Sequence, residues 1–214
     1  MMAPATLRSF VFAVEFRIAE SDRIGPVLQR HQDSLVDLGA RYAFVYESII
    51  DPGNVLVIIG IRSEQPLLRL LRSPYFFEWF DAVGVEDIPA VFAGETVERF
   101  DIDEPPAPGT ELVVAAVTPV EDVEDFVAHV RGSVDEFAKA GIRRTLVYRA
   151  LDTPREVMFL QQLANADNAL RWVRRSDIAS TWLAAAGIGA YPPVFVGRFV
   201  TAMRVDETTG TGLH

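Results

Sequence analysis

Cysteine is absent from this chain of 214 residues, and histidine occurs only three times. Without thiols the protein forms no disulfide bond, uses no thiolate nucleophile and offers no cysteine ligand to a metal. His31, His129 and His214 are far apart in the sequence, which argues against a zinc site with the usual ligand spacing. A chain without cysteine is typical of a reducing compartment, so we expect a cytoplasmic location.

Long apolar runs are also missing, although a membrane-spanning helix needs about 20 apolar residues. The stretch 10–18 is interrupted by Glu15 and Arg17 and lacks a basic leader, so we interpret it as a strand and not as a signal peptide. Positive charge is scarce as well, with 20 Lys and Arg against 30 Asp and Glu and a net charge of −10. Such a charge repels phosphate backbones and anionic lipids, so we expect neither nucleic acid nor membrane as a partner.

Familiar catalytic signatures do not occur. The chain has no phosphate loop of the Gly-x-x-x-x-Gly-Lys type and no Gly-x-Ser-x-Gly nucleophile elbow. Gly187-Ile188-Gly189 is too short for a dinucleotide fingerprint and follows a predicted helix, not a strand. The acidic cluster 121–125 is predicted to complement a helix N-terminus, since no histidine or further ligand converges on it. No motif therefore names a reaction.

What the chain does contain is an internal duplication. The segment 79–84 (WFDAVG) is echoed by 182–187 (WLAAAG), and 89–94 (PAVFAG) is echoed by 192–197 (PPVFVG). Both pairs are separated by 103 residues, whereas matching residues further upstream, such as Tyr46 and Tyr148, are separated by 102. A period of this length indicates two copies of one domain and not a short solenoid repeat.

Each copy is predicted to have the element order β-α-β-β-α-β. Apolar residues alternate along the strands and recur every three to four residues along the helices, while glycines such as Gly39 and Gly141 follow the first helices. Asp51-Pro52-Gly53-Asn54 is predicted to be the turn of a hairpin. We therefore predict a first unit at 7–102, a proline-rich linker at 103–110, a second unit at 111–205 and a polar tail at 206–214.

This order is the split βαβ, or ferredoxin-like, pattern of the α+β class. Its antiparallel sheet carries both helices on one face and leaves the other face bare. We therefore expect two tandem ferredoxin-like units whose sheets pack face to face about a pseudo-twofold axis, as a pseudo-dimeric α/β barrel with the helices outside. Glu47 and Arg149 occupy matched positions and would either pair across this interface or lie at its solvated rim. Glu15 and Arg17 are either ordinary solvent-side charges or an ion pair inside the barrel.

The first unit resembles the antibiotic biosynthesis monooxygenase-like members of the dimeric α/β-barrel superfamily. The similarity lies in Val45-Tyr46-Glu47-Ser48, the turn at Asp51-Pro52-Gly53 and the segment 70–79 (LLRSPYFFEW), and it extends over nearly the whole chain, once per unit. The superfamily includes cofactor-free oxygenases of quinol-like aromatics, isomerases, cyclases and haem-degrading enzymes. The haem-degrading members pair an Asn on the first strand with a His near the second helix, and this chain has neither. The resemblance therefore implies a cofactor-independent enzyme acting on a small hydrophobic, aromatic or polyketide-like molecule.

His31 is the candidate general base. The apolar positions of the first predicted helix place it at the centre of the stripe that faces the sheet. An imidazole held there could accept a proton from a phenol or an enol. The alternative is a buried histidine that is satisfied by a backbone carbonyl or by water.

The other candidates are aromatic. Tyr46 would orient a substrate oxygen, and Phe44, Tyr75 and Trp79 would line a substrate pocket between the helices and the sheet of the first unit. Because Tyr46 and Trp79 are matched by Tyr148 and Trp182, a packing role in both units is the alternative. A non-catalytic ligand-binding or assembly protein is therefore the rival to an enzyme. A monomer whose two units form a pseudo-dimer and a homodimer of such chains are both compatible with the sequence.

Overall fold

We analysed the protein as a computed structural model. The structure describes residues 9–20, 23–65, 80–82, 84–85, 88–104, 109, 111–174, 182, 184–186, 188 and 192–205. The predicted site residues Tyr75 and Trp79, most of the predicted linker and the predicted tail lie outside these ranges.

The elements of the first half, unit one, begin with a strand, two short helices and a hairpin. They are β1 (Phe10–Arg17), α1 (Ile24–Arg30), α2 (Gln32–Asp37), β2 (Ala40–Ser48), β3 (Asn54–Ile61) and β4 (Ala90–Asp101). The second half, unit two, repeats the order. Its elements are β5 (Leu112–Pro119), α3 (Val123–Gly132), α4 (Val134–Ala140), β6 (Ile142–Ala150), β7 (Glu156–Leu163), α5 (Ala166–Arg174) and β8 (Val194–Arg204).

The eight strands form one closed antiparallel barrel in the order β1-β3-β2-β8-β5-β7-β6-β4. Each unit contributes a four-stranded ferredoxin-like sheet, so the predicted pseudo-dimeric α/β fold is confirmed. The two sheets also join edge to edge. One seam pairs β2 with β8 and the other pairs β6 with β4. These two seams are related by the internal duplication, and closing them removes every free sheet edge.

Strand alternation divides the buried side chains into three layers. On β1, Phe10, Phe12, Val14 and Phe16 point outward and pack under α1 and α2, whereas Val11 and Ala13 point into the barrel. An equivalent outer layer lies between the unit-two sheet and its helices. Both faces of the sheet are therefore buried, which explains why several strands are almost continuously apolar.

The first helix of each unit is interrupted, although the periodicity predicts a single helix. The breaks fall at matched residues, His31 (φ −99°, ψ 21°) and Ser133 (φ −98°, ψ 3°). Gly39 and Gly141 end the second pieces with positive φ values of 72° and 83°, as predicted for C′ glycines. Asp122 begins α3 by accepting hydrogen bonds from the backbone N–H groups of Glu124 and Asp125, which confirms the capping role of the acidic cluster.

Glu47 and Arg149 do not pair with each other. Glu47 accepts a hydrogen bond from Arg198 at 2.7 Å across the β2–β8 seam, and Arg149 pairs with Glu95 across the β4–β6 seam. The sequence left open a direct pair or two solvated charges. The direct pair does not form because the matched positions lie at opposite seams of the closed barrel, where each meets a residue of the other unit. The side chain of Arg149 is 44% exposed, as expected for a solvated rim.

Candidate functional site

A group of polar and aromatic side chains lies between the unit-two sheet and its helices. We call it the unit-two cluster, and it comprises Phe126, His129, Ser133, Phe137, Thr145, Phe159, Gln161, Trp172 and Trp182. Helix α3 supplies Phe126 and His129, the break supplies Ser133, and the outward faces of β6 and β7 supply Thr145, Phe159 and Gln161. These three strand residues share a face because side chains two residues apart, and register partners on adjacent strands, point the same way.

Trp182 is the centre of the aromatic part of the cluster. Its ring stacks on Phe159 with the centroids 5.4 Å apart and the planes 26° apart. Phe126 at 6.1 Å, Phe137 at 5.7 Å and His129 at 5.1 Å surround the same ring. Stacked and edge-to-face pairs of this kind hold flat groups in defined orientations. The cluster is therefore a buried aromatic layer in which each ring has a fixed orientation.

Hydrogen bonds fix both indole rings. The Nε1–H of Trp182 donates to Ser133 Oγ at 2.8 Å, and the Ser133 hydroxyl donates to the His129 carbonyl, also at 2.8 Å. The Nε1–H of Trp172 donates to Gln161 Oε1 at 2.8 Å. The Gln161 carbonyl oxygen is thereby occupied, and its amide nitrogen is left to point elsewhere.

Three polar atoms of the cluster are buried without a hydrogen-bond partner. They are His129 Nε2, Thr145 Oγ1 and Gln161 Nε2, and within the described ranges they are the full set of such side-chain atoms. Thr145 and Gln161 have no exposed surface and are direct register partners on β6 and β7. An unsatisfied buried polar group costs about 1–3 kcal/mol, so each of these three atoms requires a partner, such as a bound water or ligand, to explain it.

The equivalent layer of unit one has aliphatic residues at the matched strand positions. The positions matched to Thr145, Phe159 and Gln161 are Ala43, Val57 and Ile59, all buried in the unit-one core. On the helix side, Val27 stands where unit two has His129. At these four matched positions, therefore, the polar side chains belong to unit two.

The predicted site residues are divided by the sheet. His31 lies at the break between α1 and α2, on the outer side of unit one, and is half-buried. Phe44 and Tyr46 point the other way, into the barrel, where they are adjacent at 6.4 Å. The structure therefore brings Phe44 and Tyr46 together but places His31 across the sheet from both. The prediction of a pocket shared by His31 and Tyr46 is wrong, because strand alternation points Tyr46 into the barrel whereas His31 lies on the helix side of the sheet.

The barrel interior holds three tyrosines, of which Tyr46 and Tyr148 are buried and Tyr42 is half-buried. Burial raises the pKa of each phenol above its ordinary value, and for Tyr46 the nearby Glu111 carboxylate raises it further. A hydrogen bond from the Gln162 side chain opposes this increase at Tyr46. These phenols are neutral at physiological pH, so they can donate hydrogen bonds but cannot act as bases.

Alkaline titration tests this environment. Because the folded pKa values lie above the unfolded value of 10.0, the stability that the protonated phenols contribute is complete below pH 10. It is lost as the pH rises through the folded pKa values. We expect tyrosinate absorbance from Tyr46 and Tyr148 to appear only with unfolding, and Tyr46→Phe and Tyr148→Phe each to reduce that late step. A normal titration near pH 10 in the native protein would contradict the buried positions.

One mouth of the barrel contains a cavity of about 180 Å³, lined by both units. Its walls are mainly apolar, and its charged group is Glu15, which accepts a hydrogen bond from Asn54 at 2.7 Å. Arg17 lies on the same face of β1 but pairs with Asp51 at 2.6 Å. Glu15 thus faces the barrel, as expected if it belonged to an ion pair inside the barrel. The predicted ion pair between Glu15 and Arg17 does not form.

Two further observations concern ligands and membranes. In the part of the chain that the structure describes, no group of three or more His, Asp or Glu side chains converges to hold a metal ion. Across the same ranges, no helix combines the length and the apolar character that a bilayer crossing requires.

Comparison with known proteins identifies the fold. No family model and no curated protein matches the chain. Among solved structures, an anthrone oxidase-like protein superposes with a TM-score of 0.69 and 14% identity over 99% of each chain. A monooxygenase-like protein from Listeria innocua gives a TM-score of 0.51 and 8% identity, over 90% of this chain and 95% of that one.

A mutant chlorite dismutase from Candidatus Nitrospira defluvii gives a TM-score of 0.54 at 8% identity, over 91% of this chain and 92% of the other. The chain has the dimeric α/β-barrel fold. The fold that the resemblance implied is therefore confirmed, while identities this low leave the reaction to be argued from the site.

Sequence reasoning missed most of the unit-two cluster. The sequence analysis gives His129 no role, yet its ring packs against Trp182 and its Nε2 atom is buried. The sequence analysis assigns no role to Thr145 and Gln161, because each is a single polar residue within a strand. The signal that could have found them is the unit-to-unit comparison, since both replace aliphatic residues at matched positions.

Proposed function

We propose that the protein is a cofactor-independent oxygenase that oxidises a small aromatic or polyketide-like molecule with dioxygen, in the unit-two cluster. The observation that carries this proposal is the set of three unpartnered polar atoms, His129 Nε2, Thr145 Oγ1 and Gln161 Nε2, beside the aromatic surfaces around Trp182. A planar substrate with one oxygen atom would use both parts, stacking on the rings and pairing with the polar atoms.

This arrangement, and the name of the anthrone oxidase-like structural neighbour, support an anthrone-like substrate class. An anthrone is a flat tricyclic ketone with an acidic methylene group opposite the carbonyl. Removal of a proton from this methylene group gives an aromatic enolate, which reacts with dioxygen directly. Such a molecule needs a base, donors for the enolate oxygen and a dry aromatic site, and it needs no metal or organic cofactor.

Each unpartnered atom then has a role. His129 Nε2 accepts a methylene proton, while the Thr145 hydroxyl and the Gln161 amide donate hydrogen bonds to the oxygen that becomes negatively charged. The enolate passes one electron to dioxygen, and the two radicals combine to form a C–O bond. Protonation gives a hydroperoxide. Loss of the second methylene proton with cleavage of the O–O bond releases water and leaves a quinone, so substrate and dioxygen yield quinone and water.

Oxygen uptake with anthrone as the probe tests the proposal. We expect chelator-treated protein to accelerate uptake above the rate of spontaneous oxidation, with anthraquinone as the product. His129→Ala should lower kcat/KM by about 100-fold or more, as loss of a general base does.

His31→Ala is the matched variant in unit one, where the sequence placed the base. If His31→Ala abolishes turnover and His129→Ala does not, the site belongs to unit one. Binding of anthrone without turnover would instead favour the rival function, a non-catalytic ligand-binding protein. The assignment of Tyr46 as the residue that orients substrate oxygen stays a prediction, and Tyr46→Phe in the same assay tests it.

A further inference from the structure

The strands that form the two seams carry opposite charges in the two units. In unit two, β6 and β8 contain five arginines and no acidic residue, namely Arg143, Arg144, Arg149, Arg198 and Arg204. In unit one, β2 and β4 contain four acidic residues and two arginines. Each seam joins an acidic edge of unit one to a basic edge of unit two.

The charges meet in register. Glu47 lies opposite Arg198 on the β2–β8 seam, and Glu95 lies opposite Arg149 on the β4–β6 seam. Each of these opposed pairs forms an ion pair. At the other end of the β4–β6 seam, Asp101 and Arg144 form a third pair at 2.5 Å.

The internal duplication shows which charges would lie opposite each other if two identical units formed a barrel. If two copies of unit one closed a barrel of this geometry, β2 of one would pair with β4 of the other, and Glu47 would face Glu95 at both seams. Two copies of unit two would set Arg149 against Arg198 at both seams. Like charges directly opposite on adjacent strands destabilise the pairing, whereas opposite charges stabilise it.

We infer that these seam charges make barrel closure selective for unlike units, so that unit one pairs with unit two and pairing between like units of two chains is disfavoured. The partner that each edge fits is therefore the other unit of the same chain. This selectivity goes beyond the apolar contacts inside the barrel, which would accept either pairing because both units present similar interior side chains. It also ensures that each closed barrel contains one unit-two cluster.

Charge exchange in the full-length chain tests the inference. In the double variant Glu47→Arg/Arg149→Glu, the native closure places like charges at both seams, whereas each unit becomes complementary to a copy of itself. We expect the melting temperature to fall by roughly 5 °C and a fraction with twice the native mass to appear at low ionic strength. Light scattering after size exclusion measures the mass.

The quadruple variant Glu47→Arg/Glu95→Arg/Arg149→Glu/Arg198→Glu restores opposite charges across both native seams. It should regain the native mass and most of the native melting temperature, even if the double variant does not fold. Glu121→Arg/Arg155→Glu is a control with the same net charge at two exposed positions away from the seams, and it should behave like the native protein. A double variant indistinguishable from the control, or a quadruple variant as impaired as the double, would overturn the inference.

Discussion

Replacing Thr145 with valine is expected to lower kcat/KM for anthrone oxidation by about 100-fold while making the protein more stable. Valine has nearly the shape of threonine, and the hydroxyl it removes is fully buried and unpartnered. Removing such a group should raise the free energy of unfolding by about 1–2 kcal/mol, which corresponds to a rise in melting temperature of roughly 2–8 °C for a chain of this size. The loss of rate follows from the loss of a donor to the enolate oxygen.

Thr118→Val provides the matched control for that experiment. Thr118 is also buried, at 3% exposure, but its hydroxyl donates to the Pro119 carbonyl at 3.3 Å and lies outside the unit-two cluster. We expect this variant to be slightly less stable and fully active. If Thr145→Val destabilises the protein to the same extent and leaves turnover intact, then Thr145 has a structural partner and the unit-two cluster is ordinary core.

The opposite signs of these effects are the reason to test them together. Truncating a residue that only packs makes the protein less stable. Truncating a residue that serves the chemistry at a cost to stability makes the protein more stable. Gln161 is a less decisive choice, because its carbonyl oxygen also accepts the Trp172 Nε1–H and its replacement would remove that bond. Thr145 therefore separates function from packing more cleanly than its neighbour on β7.

The architecture could be predicted because it depends on features that are local in sequence. Alternation gives the strands, positive-φ glycines such as Gly39 and Gly141 give the helix ends, and the duplication gives the partner for each bare sheet face. The break at His31 could not be predicted, since the apolar stripe continues through it without a change of period. The separation of His31 from Tyr46 has another cause, since the alternation of β2 points Tyr46 into the barrel while the helices lie outside it.

The candidate site depends on contacts that are distant in sequence. The Trp182 indole meets Ser133, and the Trp172 indole meets Gln161, across loops and strands whose order in space the residue pattern does not reveal. A lone histidine on an apolar stripe therefore outweighed Thr145 and Gln161 in the sequence analysis. Comparing the two units position by position would have corrected this, because a shared backbone leaves side-chain chemistry as the difference between them.

Gly94→Ala is expected to cause the largest loss of stability among single substitutions at the seams. Gly94 lies on β4 opposite Ala150, and the ring of Phe92 folds over it inside the barrel. A Cβ atom there would lie 2.5 Å from Phe92 Cε1 and 2.7 Å from the Arg149 carbonyl oxygen. Since the second contact is to a backbone atom, the β4–β6 seam itself must move. We expect the free energy of unfolding to fall by about 3 kcal/mol.

Two other glycines calibrate this cost. At the matched residue Gly197, a Cβ atom would meet the Phe195 ring, but the nearest backbone oxygen, that of Glu47, is 3.1 Å away. Gly197→Ala should therefore cost less than Gly94→Ala, because a ring can yield where a paired strand cannot. Gly132, at the end of α3, has no atom within 4 Å of an added Cβ, and Gly132→Ala should stabilise by about 0.5–1 kcal/mol. Urea unfolding of the three variants measures the order, and equal losses at Gly94 and Gly197 would mean that the ring contact, and not the seam, determines the cost.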